Sequence, residues 1–183
     1  MELSIINFMQ KSTVHLAKQG NKEAFSELIH ENKLSMYKVA KAMLGRECDV
    51  EDAIQNTIIN SYKNIKNLKK EKFFKTWLIR ILINECNKII KNNKKFNLLD
   101  YNQGVKEEGY LDSYIDLDVH NAINNLDEEL KETVILFYFD DFSIKDIARI
   151  MNVKEGTVKT RLLRARNKLE EIILKGEEGC FDE

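Results

Sequence analysis

The chain has 183 residues, a formal net charge of −1, 43% hydrophobic residues, seven glycines and no proline. This length suits one medium domain or two small ones, and the scarcity of helix-breaking residues favours an all-α protein over one of short strands. No apolar stretch is long enough to span a bilayer, and the first residues lack the basic start of a secretory signal. We therefore expect a cytoplasmic protein with no membrane insertion.

The cysteines and histidines give no sign of a metal centre or a disulfide framework. The three cysteines are far apart and odd in number, and the three histidines are equally scattered, so neither type has the spacing of zinc ligands. No carboxylate cluster and no pair of nucleophile and base stands out. We expect no cofactor, no metal and no catalytic residue, which disfavours an enzyme acting on nucleic acid.

Helical periodicity fills the first third of the chain. The pattern predicts helical structure over residues 14–29 with a break at Gly20 and Asn21, a second helix over 32–44 that ends at Gly45, and a third that Asp49 caps and that runs to about Ile65. Acidic residues at the start of the third helix also complement its macrodipole. This part of the chain is predicted to be a small helical domain.

A strongly basic stretch follows. Residues 61–99 contain eleven lysines and arginines against two acidic residues, a net charge of +9. Residues 67–72 break the helical pattern and are interpreted as a loop, while residues 73–88 form an unusually apolar helix with the only tryptophan, Trp77. Burial in a core is the better interpretation of Trp77. Single-stranded nucleic acid binds to aromatic rings that lie beside basic side chains. The pattern therefore leaves open a role in binding single strands for the polar stripe of this helix, which consists of Arg80, Asn84, Asn87 and Lys91.

An acidic stretch separates this region from the C-terminal part. Residues 100–144 contain twelve acidic residues against two lysines, a net charge of −10. Residues 96–118 contain glycines and no sustained period, which is typical of a linker. Apolar residues from Ala122 to Leu136 then predict a helix or a pair of helices. The charge distribution indicates two DNA-facing parts held apart by an acidic connector.

The last part has the pattern of a helix-turn-helix. Residues 142–150 form a short amphipathic helix that opens with Ser143 and Asp146 in a variant of the capping box. Asn152 tolerates the left-handed conformation that ends a helix. A second helix follows over Lys154–Arg166, and its apolar face is formed by Val158, Leu162, Ala165 and Leu169.

The other face of this second helix is cationic. In a helix-turn-helix the second helix enters the DNA major groove, where residues near its N-terminal end reach base edges and others contact the backbone. We assign Lys159, Thr160 and Arg161 to base edges, and Arg164 and Lys168 to phosphates. A run of charges alone indicates a solvated helix face as often as a DNA-binding one. The capped helix and the turn that precede this run favour DNA binding.

Three segments match, in order and at family spacing, the motifs of one known family. Asp49–Thr57 resembles D-A-E-D-L-V-Q-E-T, Phe74–Leu78 resembles F-R-T-W-L, and Glu155–Arg166 resembles E-G-T-V-K-S-R-L-x-R-A-R. The family is the extracytoplasmic-function (ECF) sigma factors, the smallest class of bacterial sigma subunits of RNA polymerase. The resemblance covers nearly the whole chain. The small sigma factors that drive toxin or bacteriocin genes in clostridia look similar at this length.

The resemblance implies two small helical domains joined by a flexible acidic linker. Residues 1–97 would be sigma region 2, which binds core polymerase and recognises the minus-10 element. Residues 98–118 would be the linker, which threads toward the polymerase active centre. Residues 119–183 would be sigma region 4, whose helix-turn-helix recognises the minus-35 element.

The resemblance also assigns residues to each partner. Core polymerase would be bound by Asp49, Glu51, Asp52 and Gln55. The melted minus-10 element would be held by Asn67, Lys69, Lys70, Lys72, Arg80, Asn84 and Lys88. The minus-35 element would be contacted by Thr157, Lys159, Thr160, Arg161, Arg164 and Lys168.

The implied function is that of an alternative sigma factor, with core RNA polymerase, promoter DNA and an anti-sigma factor as partners. The polymerase would carry out the chemistry. The alternative is a stand-alone helix-turn-helix transcriptional regulator whose N-terminal helices sense a ligand or dimerise. That alternative explains the C-terminal half equally well, but it does not explain a second basic region with aromatic residues beside the acidic Asp49 helix.

Overall fold

The computed structural model describes residues 13–99 and 122–178. The chain divides into two compact units, residues 1–105 and 106–183. Within the described ranges every regular element is a helix, which confirms the all-α fold and its two helical domains. Across the same ranges, each helix is too short or too polar to cross a membrane.

The N-terminal unit is built from three long helices, α1, α2 and α3. A short helical segment over residues 13–18 precedes them, and two 3₁₀ turns connect α2 to α3. The elements are α1 (Lys22–Leu44), α2 (Glu47–Asn64), the turns Ile65–Asn67 and Glu71–Phe73, and α3 (Phe74–Leu99). Helix α3 continues to Leu99, two residues into the predicted linker, and residues 100–118 of that linker lie outside the described residues.

Helix α1 is continuous where the sequence predicted two helices. The predicted break at Gly20 and Asn21 is present: Gly20 has a φ of 99°, and the Asn21 side chain accepts a hydrogen bond from the Ala24 N–H at 2.7 Å. Asn32 does not begin a new helix. It is buried, and its Nδ2 donates to the Leu28 carbonyl at 2.7 Å, so the helix passes through this position. Gly45 ends α1 as predicted, with a φ of 74°.

Helix α2 begins two residues before Asp49, so the prediction that Asp49 caps it is wrong. Lys41 fixes the turn by donating from Nζ to the Gly45 carbonyl at 2.9 Å and to the Glu47 carboxylate at 2.8 Å. The hydrogen bond from Lys41 holds the pKa of Glu47 below its ordinary value. Asp49 lies in the first turn and instead accepts a hydrogen bond at 3.1 Å from Nδ2 of Asn93 on α3.

The core of the N-terminal unit is one apolar stripe from each long helix. These residues are buried, and they include Leu28, Met36, Val39, Val50, Ala53, Leu78, Ile79 and Leu82. Trp77 and Ile81, in contrast, are only half-buried. The interpretation of Trp77 as a core residue is therefore only partly right, because one side of its helix faces a groove.

The C-terminal unit contains a helical segment over residues 122–124 and three further helices. These are α4 (Glu128–Tyr138), α5 (Ile144–Met151) and α6 (Glu155–Glu178). The apolar faces of the three helices meet in a core that includes Val134, Ile135, Leu136, Ile147, Val158, Leu162 and Ala165. Leu169, predicted to join this core, is half-exposed.

The turn between α5 and α6 forms as the sequence predicted. Ser143 caps α5: its Oγ accepts from the Asp146 N–H at 3.1 Å and lies 2.6 Å from the Asp146 carboxylate, to which it donates. Asn152 adopts the left-handed conformation with a φ of 56° and ψ of 46°. The Val153 N–H then donates to the Ala148 carbonyl at 2.9 Å, which closes the helix end.

Replacement of Asn152 tests how much the turn depends on its left-handed backbone. We expect Asn152→Gly to leave the free energy of unfolding nearly unchanged and Asn152→Val to lower it by about 1 to 3 kcal/mol, since a β-branched residue is strained at positive φ. Urea unfolding followed by circular dichroism measures the difference. Fluorescence of Trp77 provides the control, because it reports the N-terminal unit and should not change.

Candidate nucleic-acid interfaces

Helix α6 exposes one continuous surface beyond the turn. Val158, Leu162 and Ala165 are buried, so the opposite side of the helix is turned outward. We call this outward surface the α6 face, and it consists of Thr157, Lys159, Thr160, Leu163 and Arg164, all exposed. Within the described residues, Lys159 and Arg164 have no ion-pair partner, which leaves their charges available to an anion.

Arg161 belongs to a different surface. Its side chain is only 14% exposed and forms an ion pair with Glu129 of α4, while Nη1 lies 3.9 Å from Sδ of Met151 on α5. Arg161 thus connects all three helices of the C-terminal unit. The structure therefore separates it from Lys159 and Thr160, beside which the sequence had placed it at base edges.

Two further cations of α6 also contact the protein itself. Lys168 donates to the Asp127 carboxylate at 3.0 Å, and Arg166 donates from Nε to the Tyr138 hydroxyl at 2.9 Å. Both pairs are largely exposed, so each contributes little to stability and leaves the cation accessible. Together with Arg161 they attach α6 to α4.

The N-terminal unit contains an open groove of about 690 Å³ between α2 and α3. We call it the asparagine groove. One wall is Asn60, Asn64 and Asn67, at helical spacing. The other wall comes from α3 and consists of Trp77, Ile81, Asn84, Glu85, Asn87, Lys88 and Lys91. Amides, an aromatic ring and two lysines therefore face one cavity.

The lysine-rich loop beside this groove is anchored to the core. Leu68 is buried, and its carbonyl accepts a hydrogen bond at 2.9 Å from Nζ of Lys18 in the first helical segment. At the other end, Glu71 accepts from Nδ1 of His15 at 3.1 Å. Lys69 and Lys70, between these anchors, are exposed. The loop thus presents its charges from a fixed backbone.

The predicted minus-10 residues fall into two neighbouring sets and one outlier. Asn67, Asn84 and Lys88 line the asparagine groove. The loop lysines are exposed, and Nζ of Lys72 lies 5.1 Å from the centre of the Phe73 ring. Arg80 is exposed on α3 and is not among the residues that line the groove.

A third surface lies on α2. Glu51, Asp52 and Gln55 are exposed, whereas Asp49 is half-buried against Asn93. The same side of the helix continues through Ile59 and Tyr62, which are 49% and 42% exposed. We call Asp52, Gln55, Ile59 and Tyr62 the α2 face. Ile59 and Tyr62 were not predicted as site residues, although their helical spacing from Gln55 indicates that they share its side of the helix.

Comparison with known proteins identifies both units. The family model for Sigma-70 region 2 matches residues 28–96, and the model for Sigma-70, region 4 matches residues 116–169. The first match contains the asparagine groove and the α2 face, and the second contains the α6 face. A stand-alone regulator would require only a helix-turn-helix, so it does not account for the first match.

Relatives match along nearly the whole chain. The ECF RNA polymerase sigma factor SigW of Bacillus subtilis is 30% identical, over 90% of this chain and 96% of its own length. The RNA polymerase sigma factor SigV of the same organism is 29% identical, over 81% of this chain and 90% of its own length. The ECF RNA polymerase sigma-E factor of Haemophilus influenzae is 28% identical, over 87% of this chain and 93% of its own length.

Two solved structures share the fold. CnrH, solved in complex with the cytosolic domain of CnrY, has a TM-score of 0.71 at 20% identity and covers 90% of this chain and 96% of its own. The sigma factor RpoE of Bartonella quintana, solved with the anti-sigma factor NepR, has a TM-score of 0.66 at 25% identity and covers 81% and 96%. With both sigma regions matched in order and a relative aligned over almost its full length, this chain belongs to the ECF sigma factors of RNA polymerase.

Proposed function

We propose that this protein, as an alternative sigma factor, recognises promoter DNA with two surfaces, the α6 face and the asparagine groove, and binds core RNA polymerase with a third, the α2 face. The observation that carries the proposal is the presence of two separate polar and cationic surfaces, one in each sigma region. In this assignment residues 1–97 act as region 2, residues 119–183 act as region 4, and residues 98–118 act as the linker. Core RNA polymerase and promoter DNA are the partners.

The α6 face binds the minus-35 element in the major groove. Thr157, Lys159 and Thr160 lie in the first turns of the helix, where a helix-turn-helix approaches base edges. Arg164 lies one turn further and contacts phosphate. Leu163, 59% exposed, supplies the apolar contact that a thymine methyl group requires. Arg161 acts mainly by holding α6 against α4 through Glu129, whereas the accessible Lys168 contacts phosphate.

The asparagine groove and the lysine-rich loop hold the melted minus-10 element. Trp77 offers a stacking surface for an unpaired base, and Asn67 and Asn84 offer amides to its edge. Lys88 in the groove, with Lys69, Lys70 and Lys72 in the loop, compensates the backbone charge. Arg80, outside the groove, contacts phosphate from the neighbouring side of α3.

The α2 face binds core polymerase. It combines the acidic and amide groups of Asp52 and Gln55 with the apolar surface of Ile59 and Tyr62, and Glu51 lies at its edge. An apolar centre with a polar rim is typical of protein interfaces. Asp49 contributes by orienting the start of α2 through its hydrogen bond to Asn93.

Regulation by an anti-sigma factor is part of the proposal. RpoE, which this chain resembles over most of its length, was solved with the anti-sigma factor NepR. We also propose that the protein works in the cytoplasm and is not itself an enzyme, because the polymerase supplies the chemistry.

Reconstitution with core polymerase of the host bacterium tests this function. Addition of the protein should yield defined run-off transcripts from a subset of fragmented genomic DNA. Core polymerase alone is the control. Tight dimeric binding of the free protein to a duplex operator, with no polymerase-dependent transcript from any fragment, would contradict the proposal and favour a stand-alone regulator.

Two matched substitutions separate the surfaces. Ile59→Asp and Leu163→Asp each place a charge on an exposed apolar residue, so both variants should fold. We expect Ile59→Asp to weaken core binding by tenfold or more and to leave duplex binding unchanged. We expect Leu163→Asp to weaken duplex binding by tenfold or more and to leave core binding unchanged. Gel filtration with core polymerase and fluorescence anisotropy on duplex promoter DNA measure the two effects. Equal behaviour of the two variants in both assays would contradict the division of labour.

The role of Arg161 is tested by a double-mutant cycle with Glu129. If Arg161 positions α6, the variants Arg161→Ala, Glu129→Ala and their combination should give a coupling of about 0.2 to 1 kcal/mol in the free energy of unfolding. Arg161→Ala should also weaken duplex binding to a similar extent for all sequences. No coupling, together with lost preference at one base pair, would instead make Arg161 a base contact.

A further inference from the structure

Glu85 is an acidic residue in a groove that we assign to DNA. Its side chain is 9% exposed, yet it lines the asparagine groove beside Lys88 and Lys91. A buried carboxylate repels the phosphate backbone that this groove is proposed to hold. Hydrogen-bond donors close to the carboxylate must therefore offset its charge.

The contacts of Glu85 leave one carboxylate oxygen available. Nδ2 of Asn60 donates to Oε1 at 2.9 Å, and Nζ of Lys88 donates to the same atom at 2.7 Å. Within the described residues Oε2 makes no hydrogen bond, and it is not among the side-chain atoms that are both unbonded and shielded from solvent. The two donors therefore hold the carboxylate of this groove-lining residue in position, and Oε2 stays accessible to solvent.

An unpaired base meets the requirement of this oxygen. Ionised carboxylates only accept hydrogen bonds, and they accept from the exocyclic amino groups of bases. Adenine, cytosine and guanine carry such a group. Thymine does not: the one donor on its Watson–Crick edge, N3–H, is flanked on both sides by carbonyl oxygens, which the negative charge of Glu85 repels. The stacking surface of Trp77 and the amide of Asn84 line the same cavity.

We propose that Glu85 is a specificity-determining residue that admits a base with an exocyclic amino group at one position of the melted strand and rejects thymine there. The proposal rests on the proposed minus-10 role of the groove. Asn60 and Lys88 are positioning residues in this arrangement, because they fix Oε1 and orient Oε2.

A randomised promoter library tests the proposal with the complete holoenzyme. The non-template strand is randomised over the melted segment, and bound sequences are recovered and counted. For the wild-type protein, thymine should be depleted about tenfold or more at one position, as expected for loss of a hydrogen bond to a charged group. Glu85→Gln should remove this depletion at that position alone, because an amide also donates to carbonyl oxygens. Preference at the minus-35 element should be unchanged.

Glu27→Gln is the matched control, since it makes the same charge change at an exposed site on α1. It should keep the depletion. A Glu85→Gln variant that binds all sequences more tightly or more weakly, with unchanged base preference, would overturn the proposal and reduce Glu85 to an ion-pair partner of Lys88. A wild-type library with no preference anywhere in the melted segment would overturn the minus-10 role of the groove as well.

Base analogues test the same contact in the unaltered protein, independent of how any variant folds. At the selected position, adenine is replaced by purine, cytosine by 2-pyrimidinone, or guanine by inosine. Each replacement removes only the amino group, and we expect about tenfold weaker binding of the holoenzyme to the promoter. The analogue that has this effect identifies the base. Unchanged affinity with all three analogues would overturn the proposal.

Discussion

The burial of one apolar stripe on each helix decides which polar side chains this protein presents. In α6, the burial of Val158, Leu162 and Ala165 turns Lys159 and Arg164 outward. In α3, the burial of Leu78, Ile79 and Leu82 leaves Trp77 half-exposed and directs Asn84 into the groove. Once one stripe of a helix is buried, only the opposite surface can contact a partner. The packing of each helix therefore also determines which side chains are available for recognition.

Some cationic side chains of this protein are available to partners, whereas others form ion pairs within the fold. The chain has a net charge of only −1, although its basic and acidic stretches are strongly polarised. Part of the basic charge is paired internally, as in Arg161 with Glu129 and Lys88 with Glu85. Such pairs orient the helices that carry the exposed cations. A count of cations along the sequence therefore overestimates the charge that DNA meets.

Helix α2 connects two of the proposed activities. Asn60 and Asn64 lie on the side that lines the asparagine groove, whereas Gln55 and Ile59 lie on another side that we assign to core polymerase. A single rigid helix that contacts both partners can couple the docking of polymerase to the capture of an unpaired strand. Between these two sides, α2 faces the core with the buried residues Thr57 and Ser61. Their hydroxyl groups donate to the carbonyls of Ala53 and Ile58, so neither residue leaves an unsatisfied polar group in the core.

Local sequence patterns were sufficient to predict the features whose causes lie within one turn of helix. The cap at Ser143, the left-handed turn at Asn152 and the end of α1 at Gly45 each depend on residues a few positions away, and the apolar periodicity indicated the all-α fold and the faces that pack. The partners of the charged and amide side chains, in contrast, depend on how the helices pack. Glu129 lies 32 positions from Arg161, Asn60 lies 25 from Glu85, and Asn93 lies 44 from Asp49. No local pattern specifies such partners, because they meet only when separate helices pack. For that reason the sequence indicated a cationic helix and a basic region, while the packed helices determined which of their charges face outward and which hold the fold.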